Sequence, residues 1–179
     1  MTTRILLVRA VNVGGAKLPM AEFRALLTDL GAQHVRTYIQ SGNAVVDYAG
    51  DPAAFDRAVE TALTDRYGYV REVISRGPDE LARALEQHPF EVIEPKYSYI
   101  VPLTGIPTEV AIAEARQIET GADQWAVIRS DMHIRYASGA GRAELDMNKV
   151  LKQLGVQGTA RNLNTVQKLI ELAAQEPAS

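Results

Sequence analysis

Short apolar runs and helix-spaced stripes follow one another in the order β-α-β-β-α-β-α, and a similar order begins again past the middle of the chain. This order predicts an α+β fold: two tandem ferredoxin-like (βαββαβ-type) subdomains, each with a mostly antiparallel sheet and helices on one face. In each half, two strand-like runs are joined by a polar turn, as a hairpin requires. A helix-breaking stretch at residues 87–95, holding Pro89 and Pro95, separates the halves. The expected division is a first subdomain over 1–90 and a second over 96–179 that includes a C-terminal helix. Residue identity between the halves is poor, so the repeat is one of pattern.

The first strand is Ile5-Leu6-Leu7-Val8, an unbroken apolar run suited to a strand covered on both faces. Pro19 suits the start of a helix whose stripe is Met20, Phe23, Leu26, Leu27 and Leu30, with Gly31 as its stop. Residues 35–39 and 44–48 read as a hairpin turning at Gln40-Ser41-Gly42-Asn43. Asp51 caps a helix from Pro52 that carries Phe55, Val59, Ala62 and Leu63 inward and stops at Gly68. A strand is predicted at 69–74, then a helix from Pro78 with Leu81 and Leu85 inward.

In the second half, 97–103 is a predicted strand and 107–118 a predicted helix ending near Gly121. Residues 125–128 and 132–136 form a second hairpin about Ser130-Asp131. A helix with Val150, Leu151 and Leu154 stops at Gly155, and the last helix, 163–174, carries Val166, Leu169, Ile170 and Ala173. The final strand is weakly written, at 156–159.

A chain of 179 residues can bury a sizeable core, and 46% hydrophobic with 23% charged residues is ordinary for a globular protein. The net charge of −3 argues against a non-specific grip on nucleic acid. Without cysteine there is neither a disulfide nor a thiolate metal site. The first apolar run is too short for a signal peptide, and no run approaches the roughly 18 apolar residues of a membrane helix. A cytoplasmic location is the expectation. Oligomeric state cannot be read from these features.

The candidate site lies in two polar loops. In a split β-α-β unit, the end of strand one and the turn after strand two share one edge of the sheet. That edge would gather Arg9, Asn12, Gly14 and Gly15 from the first loop with Gln40, Ser41 and Asn43 from the second. It would stand beside the N-terminus of the Pro19 helix, whose amides favour anions. Arg9 and Lys17 add positive charge, and the glycines let the backbone approach a ligand. The same residues also suit plain turn geometry, and Arg9 could pair with a carboxylate such as Glu22. Such a surface pair contributes about 0 to 1 kcal/mol, whereas a charge-assisted contact to a bound anion contributes roughly 1.5 to 3 kcal/mol.

Other constellations carry less. His34, His88 and His133 are isolated in sequence and lack metal-ligand spacing. Gly14-Gly15 fits neither a dinucleotide fingerprint nor a P-loop, and Ser41 lacks a nucleophile frame. The first strand and Ala44-Val45-Val46 hold no aromatic that could stack a base, which argues against RNA recognition. Tyr97, Tyr99 and Trp125 read as core. Before the last helix, Thr159 or Asn162 could serve as its cap, while Arg161 is awkward there unless an anion or carboxylate is near. Ser138-Gly139-Ala140-Gly141-Arg142 reads as a loop.

Four segments together resemble a mainly bacterial family, domain of unknown function 1697. They are Arg9-Ala10-Val11-Asn12-Val13-Gly14-Gly15, Pro19-Met20-Ala21-Glu22-Phe23-Arg24, Arg36-Thr37-Tyr38-Ile39-Gln40-Ser41-Gly42-Asn43 and Thr159-Ala160-Arg161-Asn162-Leu163-Asn164-Thr165. The similarity extends over nearly the whole chain. Leu163 stands where the family pattern carries tryptophan, and Ala10 and Val11 match an isoleucine-bearing pattern only in part. The resemblance implies a two-subdomain ferredoxin-like fold and no particular activity.

The leading expectation is a protein that binds a small anionic or polar ligand at the edge formed by residues 9–15 and 40–43, with Arg36, Arg161 and Asn162 as further contributors. No cofactor and no metal are expected. Two alternatives stand beside it: a cofactor-independent enzyme acting on a phosphorylated or carboxylated metabolite, and a protein-interaction module.

Overall fold

A computed structural model describes residues 1–9, 15, 17–69 and 71–176. Contacts divide the chain into two compact units, Met1–Ala82 with Lys168–Ser179, and Arg83–Gln167. Among the described residues are two four-stranded antiparallel sheets and six α-helices. No helix among the described residues is long and apolar enough to cross a membrane.

The first unit runs β1 (Thr2–Val8), α1 (Met20–Asp29), β2 (Gln33–Tyr38), β3 (Asn43–Tyr48), α2 (Pro52–Tyr67) and β4 (Val73–Arg76), then the start of α3 (Pro78–Glu86). Its sheet is ordered β2-β3-β1-β4. Because β1 and β2 are both antiparallel to β3, they run parallel to each other and finish at the same edge.

One face of this sheet holds Leu6, Val8, Ala44, Val46 and Val73. They pack with Phe23, Leu26 and Leu27 of α1 and with Phe55, Val59 and Leu63 of α2. Each large apolar side chain buried here contributes roughly 1.5 to 3 kcal/mol. The other face is withdrawn from solvent as well, with Ile5, Leu7 and Val45 at most 1% exposed. That explains why β1 reads as an unbroken apolar run rather than an alternating one. Both ends of α2 follow local rules: the Asp51 carboxylate accepts from the Ala54 amide at 2.8 Å, and Gly68 terminates the helix at φ +71°.

The second unit contains β5 (Ser98–Pro102), α4 (Glu109–Ala115), β6 (Gln124–Ile128), β7 (Asp131–Arg135), α5 (Met147–Leu154) and β8 (Arg161–Asn162), then the start of α6 (Leu163–Ala174). The sheet order is β6-β7-β5-β8. Val101, Trp125, Met132 and Ile134 on the sheet form its core with Val150, Leu151 and Leu154 of α5. Trp125 is core, as expected, and Arg116 stacks its guanidinium 4.0 Å from the centre of that ring.

Three elements differ most from expectation. The last strand lies at Arg161–Asn162, not at 156–159, where only a bridge between Leu103 and Gly158 forms. A Cβ on Gly158 would meet Val101 Cγ1 at 2.7 Å, so the chain approaches β5 too closely there for any other residue. Strand β4 begins at Val73 rather than 69, its pairing with β1 starting at Val8 opposite Val73. Helix α4 is shorter than predicted: Thr108 caps it through the Ala111 amide at 3.1 Å, and it ends at Ala115.

Candidate functional site

The end of β1 meets the turn between β2 and β3. The Val8 amide donates to the Gly42 carbonyl at 2.9 Å, and Leu7 stands opposite Asn43. The exit of β1 therefore lies directly against the turn between β2 and β3. Asn12 and Gly14 lie outside the described residues.

Arg9 is held on one side by β4's approach. Its amide donates to the Glu72 carbonyl at 3.0 Å and its guanidinium pairs with the Glu72 carboxylate at 3.3 Å. Both side chains are about one-third exposed, so the pair is worth at most about 1 kcal/mol. The partner is Glu72, and Glu22 instead accepts the Tyr67 hydroxyl and lies 3.7 Å from Arg66. Burial and the nearby Glu22 charge push the Tyr67 phenol up to about 12.

Gly15 takes φ +87°, a left-handed conformation that favours glycine, and a Cβ there would meet nothing within 4 Å. Its carbonyl accepts from the Lys17 amide at 3.0 Å. The loop then enters α1 through Pro19, which supplies no side-chain cap.

Across the edge, Asn43 is fully buried and its amide nitrogen donates to the Tyr38 carbonyl at 3.2 Å and to Ser41 Oγ at 2.8 Å. Asn43 is therefore the brace of the turn. Ser41 is half-buried and Gln40 exposed. Turn geometry is completed by Gly42 at φ +74° and, unexpectedly, by Ile39 at φ +52°. A β-branched residue in that region is a strained outlier, and Ile39 is also 52% exposed. Sequence reasoning passed over it because Ile39 reads as the last residue of a strand.

The remaining predicted residues have local partners of their own. Arg36 shares the Val45 face of the sheet, and its guanidinium donates to the carbonyls of Leu172 at 2.6 Å and Gln175 at 3.0 Å. It closes the C-terminal end of α6, where free carbonyls and the helix dipole favour a cation. Arg161 and Asn162 belong to the second unit. The Asn162 side chain caps α6 by accepting from the Thr165 amide at 2.9 Å. Arg161 is buried and donates to Thr159 Oγ1 at 2.6 Å and to the Ala160 carbonyl at 2.9 Å; burial pushes its guanidinium down to about 10.

A cavity of about 400 Å³ opens between α1 and α2, lined by Leu26, Asp29, Leu30, Ala62, Asp65 and Arg66. It lies at the C-terminal end of α1, away from the Pro19 end, and its two aspartates do not suit an anion. Sequence periodicity marked Leu26, Leu30 and Ala62 only as core. Among the described residues no group of three or more His, Asp or Glu side chains is arranged to hold a metal ion.

Residues 1–133 match the family described as "Protein of unknown function (DUF1697)". The chain belongs to the DUF1697 family. The match takes in both polar loops of the candidate edge and stops short of the Thr159 to Thr165 segment. Among solved structures, the conserved bacterial protein SP0830 from Streptococcus pneumoniae is similar, with a TM-score of 0.71 and 22% identity. The similarity covers 98% of this chain and 99% of that one, and shows that the two share a fold. A candidate glycine cleavage system transcriptional repressor is 16% identical over 89% of this chain and 95% of that one, with a TM-score of only 0.22. No curated protein matches the chain.

Proposed function

We propose that the edge formed by residues 9–15 and 40–43 binds a small anionic or polar ligand. The hydrogen bond from Val8 to Gly42 carries this reading, because it makes neighbours of two polar loops that are some thirty residues apart in sequence. Around that bond, Arg9 supplies charge, Gln40 and Ser41 supply polar side chains, and the uncapped start of α1 supplies amide donors. Asn12, Gly14 and Gly15 complete the proposed binding set, with Asn43 as the brace of the second loop. The strained Ile39 also favours a functional role, since strain of this kind gathers at ligand sites. Arg36 is assigned to holding α6, and Arg161 and Asn162 to local structure in the second unit. The strand orders support reading both units as ferredoxin-like.

A thermal-shift screen against phosphorylated and carboxylated metabolites tests the proposal. At least one compound should raise the melting temperature of the protein and fail to do so for Arg9→Ala. A broad library without a hit would leave the interaction reading, which rests on Ile106, just ahead of α4, and Val110 in its first turn, 72% and 67% exposed.

A further inference from the structure

The second unit buries a histidine pair that ligand binding at the loop edge does not use. His133 lies on β7 and is 1% exposed, and His88 follows α3 and is half-buried. Their Nδ1 atoms are 3.0 Å apart. A contact between two Nδ1 atoms requires a single proton between them, so one ring donates while the other accepts. The Nε2 atoms of both rings are buried without a hydrogen-bond partner among the described groups. Ser98 Oγ, on the same sheet face, is buried in the same way. The edge of Phe90 against His88, with ring centres 5.7 Å apart, adds an apolar wall.

Charges around the pair do not favour a second proton. On the face of β7 that carries His133 stand Asp131 and Arg135, and β8 adds Arg161 across Ile100. On that face β5 presents Ser98, Ile100 and Pro102, and β6 presents Gln124, Ala126 and Ile128, none of them charged. On the His88 side, Arg83, Glu86 and Glu91 are exposed to water, which screens them. What disfavours a proton on His133 is burial first and the neighbouring His88 second.

We propose that His88 and His133 form a proton-operated latch, in which a second proton taken from water breaks the Nδ1 contact and frees residues 87–97 from the sheet. With both Nδ1 atoms protonated, two N–H groups face each other at hydrogen-bond distance and two like charges stand side by side. Residues 89–94 lie outside any helix or strand, and they carry the exposed Val92 and Ile93. Burial holds both imidazoles below their ordinary range, His133 down to about 4 with the neighbouring His88 charge adding to the effect. The latch is therefore closed at neutral pH and opens in acid.

Hydrogen exchange of the whole chain, compared at about pH 7.5 and about pH 4.5 after correction for intrinsic rates, tests this. Amides of residues 87–97 should exchange at least about tenfold faster in acid while the strands of the second sheet stay protected. In His88→Asn/His133→Asn that acceleration should vanish. Should the double variant fail to fold, imidazole NMR of the unaltered protein serves instead. The shared Nδ1 proton should then disappear with the same midpoint as the exchange transition. Unchanged exchange at 87–97 would overturn the latch, as would acceleration spread evenly over the second unit. Zinc that protects the segment and quenches the Nδ1 proton at neutral pH would also overturn it and make the pair a metal site.

Discussion

The Arg36 guanidinium on β2 donates to the Leu172 carbonyl at 2.6 Å and to the Gln175 carbonyl at 3.0 Å, tying the C-terminal end of α6 to the first sheet. A strand residue from the first quarter of the chain therefore closes a helix from the last. Arg36→Gln keeps bulk and loses the charge, and should cost about 1.5 to 3 kcal/mol, the range of hydrogen bonds made by charged groups. Urea melts measure the loss, and hydrogen exchange should show the last turn of α6 opening first. A change below about 0.5 kcal/mol would mean that the contact contributes little in solution.

Ile39 should behave oppositely. Its left-handed φ of +52° penalises an isoleucine, and its exposure means that little burial is at stake. Ile39→Gly is expected to raise stability by up to about 1 kcal/mol, the strain relieved being partly offset by backbone entropy. Under the proposed function, a ligand found by screening should bind this variant more weakly. Equal or tighter binding would detach the strain from the site.

Arg9→Ala removes a pair with Glu72 that is about one-third exposed, and should lower stability by no more than about 1 kcal/mol in thermal melts. A loss of several kcal/mol would show that Arg9 is a structural keystone and weaken its assignment to a ligand.

Asp123 is buried and accepts three backbone amides: Ala137 at 2.8 Å on one oxygen, Glu144 at 2.8 Å and Leu145 at 3.0 Å on the other. Asp123→Ala leaves all three without this acceptor and should cost roughly 3 to 5 kcal/mol. Asp123→Asn should still be clearly destabilising, because its NH2 group can face only one side of that arrangement. Chemical denaturation of both variants provides the measurement.

The histidine pair sets a pH dependence whose sign follows from the neutral ring being favoured in the folded state. His133 falls from 6.5 to about 4 on folding, and His88 moves in the same direction. Their contribution is fully present above about pH 6.5 and is lost as the pH falls toward 4, where the unfolded chain binds the extra protons. For His133 alone the loss over that window is roughly 3 kcal/mol. Guanidinium melts between about pH 7.5 and about pH 4.5 should show the decline, and a flat profile would contradict it.

Local rules made much of this protein legible from its residues alone. Asp51 with Pro52 and Gly68 bounded α2, and Gly155 ended α5, because caps and left-handed stops depend on backbone groups a few positions away. The apolar run of β1 and the Gln40 to Asn43 turn were enough to foresee that the end of β1 meets Gly42, since strand parity and hairpin connectivity leave few alternatives. Only the tertiary structure decided who partners whom. Glu72 rather than Glu22 faces Arg9, Arg36 serves the end of α6, and two histidines 45 residues apart share one proton. These pairings depend on how the chain returns across a sheet, so residue spacing carries no trace of them. β8 is displaced for the same reason: the close approach of Gly158 to β5 is a packing outcome that no local propensity encodes.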